Sequence, residues 1–178
     1  DDYLIMGGTH SLWVMRGDAA YDGQIDKLSD IAGVVSGSAW CRGPDGETIF
    51  LSLDGLYVVS PGAAPYPQEF SRERLPRELL DIDRDLVTVT MAYDVRDQGF
   101  HLYLSKNDSN EPLDHWWFDW STKSFWPVRL QGDHEPFSIY VHKSEASKEG
   151  VVLLGCRDGW IRCYRNEYQD DDGTAIAS

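Results

Sequence analysis

The sequence predicts an all-β chain, a β-propeller or partial propeller of about four blades with one short inserted helix. Two observations carry this. Short apolar runs separated by tight turns fill most of the 178 residues, and the run–turn–run unit recurs. With the residue after each turn as a marker (Leu12, Leu56, Trp116 and Trp160), the intervals are 44, 60 and 44 residues. A period near 44 with about four short strands per unit is the spacing of blades that stack on their neighbours. A general antiparallel sandwich or meander is the competing architecture, because it too joins short strands by turns.

The elements follow in order. Leu4-Ile5-Met6, a short Gly/Thr/His/Ser turn and residues 12–15 make the first hairpin. Residues 48–53 and 56–59 make the second, around Asp54-Gly55, a pair that supplies the positive φ angles of a tight primed turn. The middle of the chain reads as four strands, at 87–93, 100–104, 115–120 and 125–130. The last hairpin joins 151–156 to 160–164 through Arg157-Asp158-Gly159. The long interval contains residues 71–85, which read as helix; removing about sixteen residues there restores the period. Ser71 is a candidate N-cap with Arg74 three residues on, or Pro76 opens the helix at its first turn. Leu75, Leu79 and Leu80 would share one face. The expected organisation is blades over 1–169, with the helical insertion at about 71–85, and an acidic linker or exit segment over 170–178.

Composition narrows the partners. Thirty acidic residues against sixteen basic ones give a net charge of −14. That charge argues against non-specific nucleic-acid or anionic-membrane binding, which needs a basic surface. Direct sequence-specific nucleic-acid binding is not expected either. Apolar residues at 42% and aromatics at 12% suffice for a core. No run approaches the roughly 18 apolar residues of a membrane helix. The chain opens Asp1-Asp2-Tyr3 without a Met or a signal peptide, so it reads as processed or cut from a longer parent.

Cys41, Cys156 and Cys163 are odd in number, which excludes a complete disulfide framework. Cys156 and Cys163 flank a turn and are expected as two buried thiols rather than a bridge. No CxxC and no zinc spacing occurs, and a reducing compartment is expected.

No residue pattern points to catalysis. His10, His101, His115, His134 and His142 show no metal-helix spacing. Residues 81–85 and 170–172 are acidic but lack the spaced ligands of a calcium loop, so solvated surface charge is the expectation. Neither a nucleophile elbow nor a phosphate loop occurs. No catalytic residue, metal or cofactor is therefore expected. The densest feature is His115-Trp116-Trp117-Phe118-Asp119-Trp120, followed by Phe125-Trp126-Pro127. Alternation sends Trp116, Phe118 and Trp120 one way and Trp117 with Asp119 the other. The rings serve either a sugar- or peptide-binding platform or packing between blades. Trp117, on the sparser face, is expected to be the more exposed. Trp117, Trp120, Trp126 and Trp160 are the candidate ligand or interface residues.

The strings Ala39-Trp40-Cys41-Arg42-Gly43-Pro44-Asp45-Gly46, Leu51-Ser52-Leu53-Asp54-Gly55-Leu56-Tyr57, Leu75-Pro76-Arg77-Glu78-Leu79 and His115-Trp116-Trp117-Phe118-Asp119 together resemble β-propeller structural proteins of tailed bacteriophages. These are the neck, nozzle and packaged-DNA-stabilising proteins of the tail. Asp172-Gly173-Thr174-Ala175-Ile176 resembles the exit from such a propeller into a following sheet domain. Such proteins are much longer, and the shared motifs are hairpin and packing motifs. The resemblance implies a non-enzymatic virion assembly protein, or a fragment of one, whose partners are other protein subunits, including copies of itself in a homo-oligomer. Its place would be the virion, or the cytoplasm if the origin is not a phage. The alternatives are a propeller binding module for a glycan or peptide, and a carboxylate-dependent glycosidase or lyase.

Overall fold

The computed structural model describes residues 3–61, 66–69, 75–80, 82–109, 111–130, 134–144, 147–165, 170–171 and 174–175. The chain is all-β and divides into two compact units, Asp1–Arg84 and Asp85–Ser178. Among the described residues, no helix is long and apolar enough to cross a membrane.

The first unit holds two antiparallel meanders. Strands β1 (Tyr3–Gly7), β2 (Leu12–Arg16) and β3 (Gln24–Ser29) lie in sheet order β1-β2-β3. Strands β4 (Trp40–Arg42), β5 (Thr48–Leu51), β6 (Leu56–Val59) and β7 (Gln68–Glu69) lie in order β4-β5-β6-β7. In β2, Leu12 and Val14 are fully buried while Trp13 and Met15 are half-buried, the alternation of a strand with one face on the core. Those two side chains join Leu28, Ala32, Phe50, Tyr57 and Val59 in one cluster, with Tyr3, Ile5 and Val34 packed on it. Phe50 and Tyr57 are register partners, and their rings stack at 5.7 Å.

The segment between the two sheets is threaded tightly. Val34 N–H donates to Gly8 O and Val35 N–H donates to Leu51 O. Gly33 passes so close to the β1–β2 turn that a Cβ there would meet Gly8 O at 2.2 Å, closer than any side chain can approach.

Two expectations for this unit need correction. The second hairpin does not turn on Asp54-Gly55. Ser52 N–H donates to Gly55 O at 2.8 Å, so Leu53 and Asp54 are the central pair and Gly55 closes the turn. Gly55 is not among the residues with positive φ. The Asp54 carboxylate accepts from Tyr57 Oη at 2.8 Å, a side-chain tie that the dipeptide alone does not reveal. The helix expected at 71–85 reduces, among the described residues, to one 3-10 turn, Arg77–Leu79. Ser71 and Arg74 lie outside the described residues. Pro76 has ψ 142° and the cap residue Leu80 is extended, so the turn cannot propagate either way. In a helix capped at Ser71, Pro76 would have been an interior proline, which removes a backbone bond and clashes with the preceding turn. The apolar side chains are used nonetheless: Leu75, Leu79 and Ile82 are buried.

The second unit repeats the plan. Strands β8 (Val87–Asp94), β9 (Gly99–Lys106), β10 (Pro112–Asp119) and β11 (Ser124–Val128) form a meander in order β11-β10-β9-β8. Strands β12 (Pro136–Ser144), β13 (Ser147–Cys156) and β14 (Ile161–Cys163) form a second, and β15 (Asp170–Asp171) pairs β16 (Thr174–Ala175) as a two-stranded ribbon. The β8–β9 register runs unbroken from Val87↔Lys106 to Asp94↔Gly99. Strand β9 is buried on both faces from Gly99 to Ser105, and β8 also packs against β12 and β13.

The β8–β9 and β10–β11 loops, 95–98 and 120–123, end alike on left-handed non-glycine residues, Gln98 (φ 53°) and Lys123 (φ 54°). The 157–159 turn is as the sequence predicts. Gly159 N–H donates to Cys156 O, Gly159 has φ 85°, and Cys156 N–H donates to Trp160 O. That is a three-residue loop whose glycine sits where L side chains are strained.

Candidate functional site

The aromatic run of β10 covers both faces of its sheet. Phe118 is fully buried, stacked on Phe100 at 4.7 Å and edge-on to Phe125 at 4.8 Å. Trp120 follows on the same side, 6.3 Å from both Phe118 and Tyr93, with Lys123 Nζ 3.3 Å above its ring. Trp117 takes the opposite face, as alternation requires.

That face is not the open one. Trp117 is half-buried, because His101 lies directly across in register and its ring sits 4.6 Å away. His101 in turn touches Tyr103 at 5.6 Å and Tyr164 at 4.5 Å. The expectation that Trp117 is the exposed tryptophan is therefore corrected. The face looked sparse because its partners, His101 and Tyr164, come from distant parts of the chain.

The exposed rings stand on outer strands. Trp126 is 58% exposed on β11, the edge of its sheet, and is the register partner of Trp117. Trp160 is 70% exposed just before β14, the edge of the other sheet, with Ile161 exposed beside it. Asp158 fixes this edge. Its Oδ1 accepts from Trp160 N–H and from Arg162, which holds its carboxyl below the usual carboxylate range. The structure thus brings Trp117 and Trp126 onto one strand pair, keeps Trp120 at the loop of the same sheet, and places Trp160 on the neighbouring sheet.

Two histidines are buried beneath this surface. Burial pushes His101 down to about 3 and His115 down to about 4. His115 Nδ1 accepts from Leu104 N–H at 3.3 Å, so the neutral ring carries its proton on Nε2. Beside them Asp94 is buried, accepts from Arg96 N–H, and lies 3.7 Å from the Arg96 guanidinium, which also donates to Tyr164 O. Burial first, then the charges of Asp97 and Asp94, push the Tyr164 hydroxyl up.

Of the cysteines, Cys41 and Cys156 are buried free thiols, but Cys163 is exposed. The paired burial expected for Cys156 and Cys163 is corrected. Cys163 lies opposite Leu153, not Cys156, and sits on the short edge strand β14. Among the described residues no group of three or more His, Cys, Asp or Glu could hold a metal ion.

The first unit carries a cavity of about 430 Å³ that the sequence reading did not single out. One wall is a face of the β4–β5 pair. Trp40 lies opposite Phe50 and Arg42 opposite Thr48, while Cys41 and Ile49 turn the other way and are buried. Tyr3 and Ile5 of β1 and the 8–9 turn bound it elsewhere. Arg84 also lines it. Its Nε donates to Val35 O at 2.6 Å and a terminal nitrogen donates to Thr9 Oγ1. No Asp or Glu is among the described residues that line the cavity. Arg42 and Trp40 stand two residues apart on a three-residue strand, a spacing that could have flagged a shared face had β4 been recognised.

No protein-family model matches the chain, and no curated protein matches it in sequence.

Proposed function

We propose that the chain is a non-enzymatic structural module of a phage-like virion, a β-propeller or part of one, whose outer strands contact neighbouring protein subunits. The observation that carries this is the pairing of architecture with exposure. Each three- or four-stranded sheet is a meander of consecutive strands, the way a blade is built. The large exposed rings Trp126 and Trp160 stand on or next to the outermost strands of two such sheets. Tryptophan at an exposed edge is characteristic of an anchor that a partner covers. The net charge of −14 supports a place near packaged DNA, where like charge prevents adhesion to it.

The test is the solution mass of the full chain by light scattering on a sizing column, for the wild type and for the Trp126→Ala/Trp160→Ala double variant. A concentration-dependent oligomer that the double variant shifts toward the 20.2 kDa monomer, with unfolding temperature unchanged, is expected. A wild type that stays monomeric at every concentration overturns self-assembly through these rings and leaves the chain a binding module.

A further inference from the structure

We propose that the cavity of the first unit binds a small organic acid, a carboxylate carried on a ring-sized body. The inference stands apart from the assembly reading, because it uses neither Trp126 nor Trp160. The first argument is charge. Acidic residues outnumber basic ones by thirty to sixteen in the chain, so a wall drawn without bias would hold more carboxylates than cations. This wall holds Arg42 and Arg84 and no described carboxylate. At physiological ionic strength charges are screened beyond roughly 8 Å, so nearby groups rather than the net charge set the potential a ligand meets inside.

The two arginines divide the work. Arg84 spends donors on Val35 O and Thr9 Oγ1, so it holds the wall in place. Arg42 is exposed and, among the described residues, has no ion-pair partner, so its guanidinium is open to a carboxylate in the two-bond, fork-on-fork geometry. Thr48 lies directly across in register and offers a hydroxyl to the same group.

The ring follows from the neighbours. Trp40, 45% exposed, stands two residues from Arg42 on the same strand face, and Phe50 lies opposite it. Trp40 Nε1 donates to Gly37 O at 3.2 Å, which fixes the indole as a flat wall. A cation and a held indole side by side accept a ligand with a charged end and a stacking body. A volume of about 430 Å³ matches a small molecule. An acidic sugar and an aromatic acid share this chemistry.

The test is isothermal titration of the full chain with D-glucuronate and benzoate, each beside its neutral counterpart, glucose or benzamide, and with inorganic phosphate. At least one acid is expected to bind, its neutral counterpart roughly tenfold or more weaker. The tighter acid identifies the body, sugar or aromatic. Arg42→Ala is expected to lose roughly tenfold or more and Arg42→Lys less than that, because an ammonium keeps the charge without the fork. Trp40→Ala is expected to weaken the acid, while Trp126→Ala/Trp160→Ala leaves it unchanged. Failure of both acids to bind overturns the proposal. So does phosphate binding as tightly as either acid, or an Arg42→Ala chain that keeps its unfolding temperature and binds like the wild type.

Discussion

Arg84 Nε donates to the carbonyl oxygen of Val35 at 2.6 Å, across 49 positions of sequence. A terminal nitrogen of the same guanidinium reaches Thr9 Oγ1. One side chain therefore ties the segment between the two sheets of the first unit to the β1–β2 turn. Val35 N–H is already committed to Leu51 O, so both backbone polar groups of this residue are held. Arg84→Ala is expected to destabilise the chain by about 1 kcal/mol, below the roughly 1.5–3 kcal/mol of a hydrogen bond involving a charged group, since Arg84 is exposed. Arg84→Lys should recover little, because an ammonium cannot span both acceptors. Chemical denaturation of the two variants measures this, and a lysine variant as stable as wild type would show that charge alone suffices.

Gly99 opens β9 directly beneath Trp117. A Cβ there would meet Phe118 O and Trp117 Cζ2, both at 2.3 Å. The first is backbone and the second part of a ring held against His101, so neither gives way cheaply. Gly99→Ala is expected to cost about 3 kcal/mol, the upper end for overpacking. Thermal unfolding reads it directly, and a loss under about 1 kcal/mol would mean that the Trp117 ring moves freely.

His101 and His115 make the second unit acid-sensitive. Both are held neutral by burial, at about 3 and about 4, against an ordinary value near 6.5. Above about pH 6.5 neither state binds the proton, and their contribution to stability is complete. As the pH falls from about 6.5 toward about 4, the unfolded chain takes up protons that the folded chain refuses. Stability should then fall by up to about 1.4 kcal/mol per pH unit for each histidine. His101→Phe keeps a planar ring among Trp117, Tyr103 and Tyr164 and should reduce the slope by about half. Urea titrations at successive pH values decide it; an unchanged slope in the variant would mean that His101 protonates in the folded state.

The three thiols should separate cleanly in reactivity. Cys41 and Cys156 are buried and Cys163 is exposed. Burial, reinforced by the Glu47 charge, raises the Cys41 thiol far above its ordinary value. A native-state titration with a maleimide is expected to label one cysteine, identified by peptide mass as Cys163, and denaturation should release the other two. Labelling of Cys156 at a comparable rate would show that the β13–β14 hairpin opens readily.

By itself the sequence determined the local grammar. Alternation placed Leu12 and Val14 on a core face, and glycine in Arg157-Asp158-Gly159 set that turn, because both depend on contacts within a few residues. Strands β1, β2, β5, β6, β8 to β11, β13 and β14 were legible for the same reason. Strand β7 has only two residues, too few for a pattern to show, and three-residue β4, unlike β14, is not joined to a preceding strand of its sheet by a hairpin turn. Helical spacing of Leu75, Leu79 and Leu80 was also legible, yet Pro76 and burial of Leu75, Leu79 and Ile82 required only one turn of it.

Tertiary structure decided which faces are covered. Trp117 is half-buried because His101, 16 positions away, packs on it and is itself backed by Tyr164, while Trp126 on the partner strand stays exposed. It likewise assembled Trp40, Arg42 and Arg84 around one cavity, although Arg84 lies 42 residues beyond Arg42. Periodicity reports which side of a strand a residue occupies. Only the packing of distant segments decides whether that side meets protein, solvent or a space large enough for a ligand.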